Sequence, residues 1–251
     1  MSHKARKRFG QNFLNDRQVI ERIISTISPK KKDDIVEIGP GKGAITFPLL
    51  EQLDKLNVIE IDRDLIALLR SNQNTKLIIH EADVLSFDFG QISNNLRVVG
   101  NLPYNISSPL LFHLLNQKDN IIDMTFMLQK EVVDRIVAKN NCKDFGRLSV
   151  MMQSFFDVDS IFTVPKESFN PQPKIESAIV YLKTKQKPLI SDVKLLEKVV
   201  KVCFSKRRKT LRNCLKSNLN QEQTEIDLSK RAEMLSVKNF ITLTEDYAKQ
   251  H

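Results

Sequence analysis

Between Asp34 and Ala138, short runs rich in β-branched residues alternate with segments of helical period, and this alternation leaves few architectures open. The runs are Asp34–Ile38, Leu56–Ile61, Lys76–His80, Leu96–Gly100 and Asp123–Leu128; helical patterns cover Thr46–Leu53, Asp64–Ser71, a helix beginning over Pro109–Leu115, and Lys130–Ala138. Strands spaced in this way by helices predict a parallel sheet covered on both faces. A further helix over Arg17–Ile27 carries Val19, Ile20, Ile23, Ile24 and Ile27 on one side. Leu148–Phe156 reads as either a helix or a strand leading into Asp159–Val164. The segment Phe169–Lys174, with two prolines, breaks regular structure before an alternating run over Ile175–Lys183. These two late strands are expected to form an antiparallel edge. Beyond Lys187 the period is helical only: Val193–Phe204, Lys206–Leu215, then pieces of Lys230–Tyr247 with Ser236 as an N-cap. The expectation is an α/β domain over residues 1–186 and a small helical domain over 187–251.

The residues that could carry chemistry gather where the expected strands end. Gly39 and Gly41 follow the first run, where glycines let backbone N–H groups approach a ligand. With Ala44 they also fit the dinucleotide pattern G-x-G-x-x-G/A. Glu60 ends the second run, where a carboxylate would accept hydrogen bonds from a ribose; NAD and S-adenosylmethionine both carry one. Asp83 follows the third and could accept from an adenine amino group with Val84 packed on the ring, or simply cap a helix. Asn101-Leu102-Pro103-Tyr104 ends the fourth, and ligands of open α/β sheets bind beyond such strand ends. The lone pair of an adenine N6 is delocalised into its ring. The Asn101 side-chain oxygen and a nearby backbone carbonyl could take both N–H bonds while Tyr104 stacks on a flipped base. Pro103 stiffens that loop. Phe169 is either the other wall of such a base sandwich or a core residue.

Charge separates the chain into three parts. Residues 1–32 are net +7, residues 33–180 net −6 and residues 181–251 net +8, giving +9 overall. Basic ends around an acidic middle suggest a ligand-binding body between surfaces that meet a polyanion. The clusters are Arg6, Lys7 and Arg8 in the leader, and Lys206, Arg207, Arg208, Lys209 and Arg212 on an expected helix whose other face holds Leu211, Cys214 and Leu215. Such groups bind phosphates without reading sequence. Three scattered cysteines argue against a disulfide framework, and no His/Cys/carboxylate grouping has metal-ligand spacing, so no metal is expected. No run is long enough to span a bilayer and no signal peptide is evident, so a cytoplasmic protein without membrane contact is expected.

Taken together, these motifs closely resemble the KsgA (RsmA) family of 16S rRNA adenine dimethyltransferases over nearly the whole length. The resemblance rests on Arg6–Leu14, Glu37-Ile-Gly-Pro-Gly41, Val58–Arg63, Gly100–Ser107, Phe126–Glu131, Phe169–Lys174 and Arg207–Arg212. It implies a Rossmann-like class I methyltransferase sheet, mostly parallel with an antiparallel edge, and a small all-α C-terminal domain. It also implies S-adenosylmethionine as methyl donor and, as target, two adjacent adenosines in the 3′-terminal hairpin of small-subunit rRNA, each dimethylated on N6. By matching position, Asn12, Leu14, Gly39, Glu60, Asp83 and Asn101 would contact the donor; Asn101 to Tyr104 and Phe169 would form the base pocket. The implied partner is an assembling small ribosomal subunit, met by a monomer. Lys42-Gly43 departs from the Leu-Ala of many members toward the Lys-Gly of Erm-type methylases of large-subunit rRNA. Those methylases and a mainly non-catalytic assembly factor are the neighbouring readings; an NAD-dependent dehydrogenase would leave Asn101–Tyr104 without a role.

Overall fold

Strands β2 (Asp34–Ile38), β3 (Leu56–Glu60), β4 (Leu77–Glu81), β5 (Leu96–Asn101) and β6 (Ile121–Gln129) build the parallel part of a seven-stranded sheet. The computed structural model describes residues 12–206, 208–216 and 219–250. Across the sheet the order is β4-β3-β2-β5-β6-β9-β7, with β7 (Phe156–Val164) outermost and β9 (Ser177–Thr184) antiparallel to β6. Successive strands run outward from β2 to β4 on one side, and from β5 to β6 on the other. The order therefore reverses between β2 and β5, and a crevice opens at their carboxyl ends. Ile35, Val36, Val98, Val99, Leu96 and Phe126 are all essentially inaccessible, as expected for strands covered on both faces.

Helices α1 (Arg17–Ile27), α2 (Thr46–Gln52), α3 (Arg63–Arg70) and α4 (Ser107–Asn116) alternate with these strands. Helix α1 starts at Asp16, whose side chain accepts from the N–H groups of Gln18 and Val19. Its buried face, Val19, Ile23, Ile24 and Ile27, joins the same apolar cluster as Leu49, Leu53, Leu56 and Phe169. A strand pair that the sequence does not announce lies beside it. Strand β1 (Phe13–Leu14) pairs antiparallel with β8 (Phe169–Asn170), inside the segment expected to be irregular. Asn15 N–H extends the pairing to the Ser168 carbonyl, and the Ser168 hydroxyl donates to Asp16.

The chain divides into two compact units. One runs to Val133 and resumes over Asp159–Thr184; the other comprises Asp134–Val158 and the chain from Lys185 onward. A single boundary at residue 186 does not describe this division. The ambiguous stretch near 148–156 is helix α6 (Arg147–Phe155), which packs on α7 (Val193–Cys203) and α9 (Val237–Ala248) and so belongs with the later helices. Helix α5 (Lys130–Val137) follows β6 directly. In the second unit Phe204 stacks on Phe240 at 5.5 Å, and Ser236 caps α9 by accepting from Asn239 N–H.

The expected helix over Lys206–Leu215 is largely absent. Helix α8 covers only Leu211–Leu215, while Lys206, Arg208 and Lys209 precede it in a turn closed by Lys209 N–H on the Lys206 carbonyl. The N–H groups of Leu211 and Arg212 donate to the carbonyls of Lys230 and Leu228, and Thr210 bridges to Arg231. Those amides are therefore spent on a neighbouring segment rather than on a preceding helical turn, and a run of cations gains nothing from stacking on one helix. Arg207 lies outside the described residues, as do Arg6, Lys7 and Arg8.

Candidate active site

At the crevice where the strand order reverses lies a cavity of ≈ 390 Å³, within the size range of small-molecule sites. The loops after β2, β3, β4 and β5 enclose it together with β1 and Asn170 of β8. The first loop leaves β2 through Gly39, Gly41 and Gly43, all at positive φ (65°, 58° and 88°). The Phe13 ring lies against the loop at Gly41, where a Cβ would make an ordinary 3.4 Å contact, and Lys42 Nζ stands 4.5 Å over the same ring. Behind the loop Glu37 is 1 % exposed and accepts a hydrogen bond from the Thr46 hydroxyl at 2.6 Å. Burial pushes its carboxyl up to about 7, against the pull of that hydrogen bond.

Glu60 ends β3 beside this loop. Its Oε1 accepts the N–H groups of Ile61 and Asp62, each at 2.9 Å, and the Gly41 N–H also bonds the carboxylate. Burial still raises its pKa, with those backbone donors opposing the rise. Ile61, half-exposed at 51 %, projects from the same wall. Asp83 lines the cavity with Oδ1 held by Leu85 N–H at 3.0 Å. Val84 is buried and does not reach the cavity; Leu85 does.

Asn101 sits at the end of β5 opposite the glycine loop. Its amide Nδ2 donates to the Asn12 carbonyl at 3.2 Å, which leaves Oδ1 without a partner among the described residues. Leu102 N–H is tied to the Met127 carbonyl of β6. The Pro103 carbonyl accepts from Ile106 N–H and from the Ser107 hydroxyl, which starts α4. Tyr104 lines the cavity, and its hydroxyl lies 2.7 Å from Ser177 Oγ. Burial lifts the Tyr104 phenol above its ordinary range, and the Ser177 hydrogen bond works against that rise.

Asn12, Leu14, Gly39, Gly41, Glu60, Asp83 and Asn101 to Tyr104 are thus brought to one cavity. Phe169 is not: it is 4 % exposed, lies in the apolar cluster, and pairs through its backbone with Leu14. Of its two alternatives the fold takes the core position, and Asn170 reaches the cavity in its place. Phe13, Pro40, Lys42, Ile61 and Ile106 also line it; all but Lys42 fall within the motifs of the resemblance, but the resemblance gives none of them a role at the site. His80 and His113 stand elsewhere, bonded to Asn57 Oδ1 and to the Phe87 carbonyl. Among the described residues no group of three or more His, Cys, Asp or Glu is placed to hold a metal.

Residues 2–249 match the model of the family described as ribosomal RNA adenine dimethylase. A ribosomal RNA small subunit methyltransferase A of Nitrosospira multiformis is 50 % identical over 250 residues, covering 97 % of this chain and 96 % of the relative. The protein of that name from Saccharophagus degradans is 51 % identical over 252 residues, covering 96 % and 94 %. The fold matches a dimethyladenosine transferase from Plasmodium falciparum with a TM-score of 0.82 and 25 % identity, covering 95 % and 98 % of the two chains. It matches the 23S rRNA methyltransferase ErmE with a TM-score of 0.74 and 25 % identity, covering 94 % and 100 %. A match that spans both compact units, on a sheet whose switch-point cavity is walled by Asn101–Tyr104, means that this chain belongs to the ribosomal RNA adenine dimethylase family.

Proposed function

We propose that this protein transfers methyl groups from S-adenosylmethionine to N6 of two adjacent adenosines in the 3′-terminal hairpin of 16S rRNA, giving N6,N6-dimethyladenosines. The observation that carries the reading is Asn101. With its amide N–H committed to the Asn12 carbonyl, Oδ1 is an oriented acceptor at the rim of the cavity. The residues fit the donor. The positive-φ glycine loop gives its backbone close access, and the acceptor-only carboxylate of Glu60 suits ribose hydroxyls. Asp83 lines the same cavity and would accept from an adenine amine, with Ile61 and Leu85 as apolar walls. When bound, S-adenosylmethionine supplies an electrophilic methyl on a sulfonium sulfur.

The chain's own contribution is alignment. Asn101 Oδ1 accepts one N–H of the target amine. The Pro103 carbonyl is already engaged, so the Leu102 carbonyl is the neighbouring acceptor for the other. In the first transfer two such bonds oppose delocalisation of the nitrogen lone pair into the ring and aim it along the transfer line. The monomethylated amine keeps one N–H, and so one such bond, for the second, and after each transfer the product ammonium sheds a proton. Tyr104 offers its face to the extruded base. Orientation of this kind supplies about 7–11 kcal/mol in well-aligned intramolecular reactions. The basic leader (Arg6, Lys7, Arg8) and the later cations Lys206, Arg207, Arg208, Lys209 and Arg212 are read as the groups that grip rRNA phosphates.

The relatives named for the small subunit support the small ribosomal subunit as partner; in this reading the protein meets the assembling particle in the cytoplasm as a monomer. No described helix is long and apolar enough to cross a membrane. Purified protein, radiolabelled S-adenosylmethionine and undermethylated small subunits test the reading: four methyls per particle are expected. Transfer to large-subunit RNA alone would replace it with an Erm-type activity, and binding without transfer would leave an assembly factor.

A further inference from the structure

Ser177 opens β9, is wholly buried, and meets the Tyr104 hydroxyl across 73 residues of sequence. Tyr104 lies in the loop between β5 and α4, whose backbone is pinned at Leu102 and Pro103. Those bonds fix where the residue starts but leave both side-chain torsions to local packing. The Ser177 contact anchors the far end of the ring to the sheet. The anchor point has a defined relation to Asn101. In register, Asn101 faces Met127 of β6, and Ser177 faces Gln129 of the same strand, two residues further on. Lys130 N–H, on the Glu176 carbonyl, continues that pairing. The acceptor for the amine and the anchor of the aromatic ring are therefore both referenced to the end of one central strand.

We infer that Ser177 is a positioning residue: by holding the Tyr104 hydroxyl it sets the plane on which the target adenine stacks, relative to Asn101 Oδ1. The inference rests on the reading of Tyr104 as the base platform. Its role requires a hydroxyl at both positions, whichever of the two donates, because a side chain locked at one end only leaves the stacked base free to tilt away from the transfer line.

A double-substitution cycle on undermethylated small subunits tests this. Ser177→Ala and Tyr104→Phe should each lower kcat about 2- to 10-fold, the worth of one hydrogen bond. The donor's Kd should stay unchanged, and the double variant should be no slower than the slower single one. Ser177→Thr, which keeps the hydroxyl, should recover most of the loss. Multiplying effects in the double variant would overturn the inference, as would a lowered melting temperature with kcat intact. Should Ser177→Ala not fold, Tyr104→Phe alone decides, since wild-type turnover there overturns the role. Tyr104→Ala separates the two levels. If it is inactive while Tyr104→Phe and Ser177→Ala turn over normally, the platform stands and the positioning role falls. If Tyr104→Ala is itself fully active, the platform reading fails.

Discussion

Replacing Glu37 by glutamine keeps the shape of the side chain and an acceptor for the Thr46 hydroxyl, while deleting a charge that the fold holds out of water. The carboxyl titrates at about 7 in the folded protein against 4.5 for an ordinary glutamate, chiefly because burial penalises the anion. That difference corresponds to about 3 kcal/mol. A raised carboxyl pKa means the folded state holds its proton more tightly than the unfolded state does. The contribution to stability is thus complete below about pH 4.5 and is lost as pH rises through about 7. Above that, the native protein carries a buried carboxylate that it must solvate with its own dipoles. Glutamine has nothing to titrate. The stability of Glu37→Gln relative to wild type should therefore be least near pH 4.5 and grow by about 3 kcal/mol by pH 8. Urea unfolding of both proteins without added ligand, across that range, measures the difference directly and cancels the titrating groups that do not sense Glu37, Glu60 being the one that does. Parallel stability curves would refute the reasoning, because they would mean that Glu37 ionises as readily folded as unfolded.

Asn101→Ala should abolish methyl transfer while donor binding, followed by calorimetry, falls far less, since the amide oxygen is aimed at the amine and only the amide N–H holds the Asn12 wall; near-normal turnover would sink the mechanism. Gly100→Ala would place a Cβ 2.6 Å from the Ile38 carbonyl oxygen, where β2 and β5 end side by side, so about 1–3 kcal/mol of stability should be lost in denaturant unfolding. Changing Lys206, Arg208, Lys209 and Arg212 to glutamine should weaken rRNA binding and reduce the slope of log affinity against log salt by roughly one for each phosphate no longer neutralised. An unchanged slope would make that turn a solvated surface.

Strands β2, β3, β5 and β6 are legible in the sequence because each is a largely apolar run buried between two covered faces, and β4 because Leu77 to Ile79 are apolar, although β4 is the edge strand and Ile78 is 42 % exposed, so the expected cover on both faces does not reach it. Strands β1 and β8 are not: two residues have no period, and the partners Leu14 and Phe169 are far apart in the chain. Gly39, Glu60 and Asn101 stand out because a turn, an acid and an amide at successive strand ends have a joint chemical meaning. Ser177 carries no such mark, since its partner is chosen by the register of β9 on β6. Phe169 shows the reverse. A flanking aromatic beside prolines looks like a platform, yet pairing with β1 turns it into the apolar cluster. The basic stretch misleads for a related reason. Cations followed by Leu211, Cys214 and Leu215 mimic a helical face, but the carbonyls of Leu228 and Lys230 claim the amides at its centre.

The pairing of β1 with β8 also has a consequence for synthesis on the ribosome. Asn12, Phe13 and Leu14 leave the exit tunnel early and wall the cavity, but their backbone partners, Ser168 to Asn170, follow only after the strands of the parallel sheet have been made. A nascent chain with β2 to β6 complete has its glycine loop and its Asn101, yet lacks what pins the remaining wall in place. Closing a loop of that span costs entropy that only the late contacts return. Competence to hold the methyl donor is thereby deferred until the chain through Asn170 has emerged.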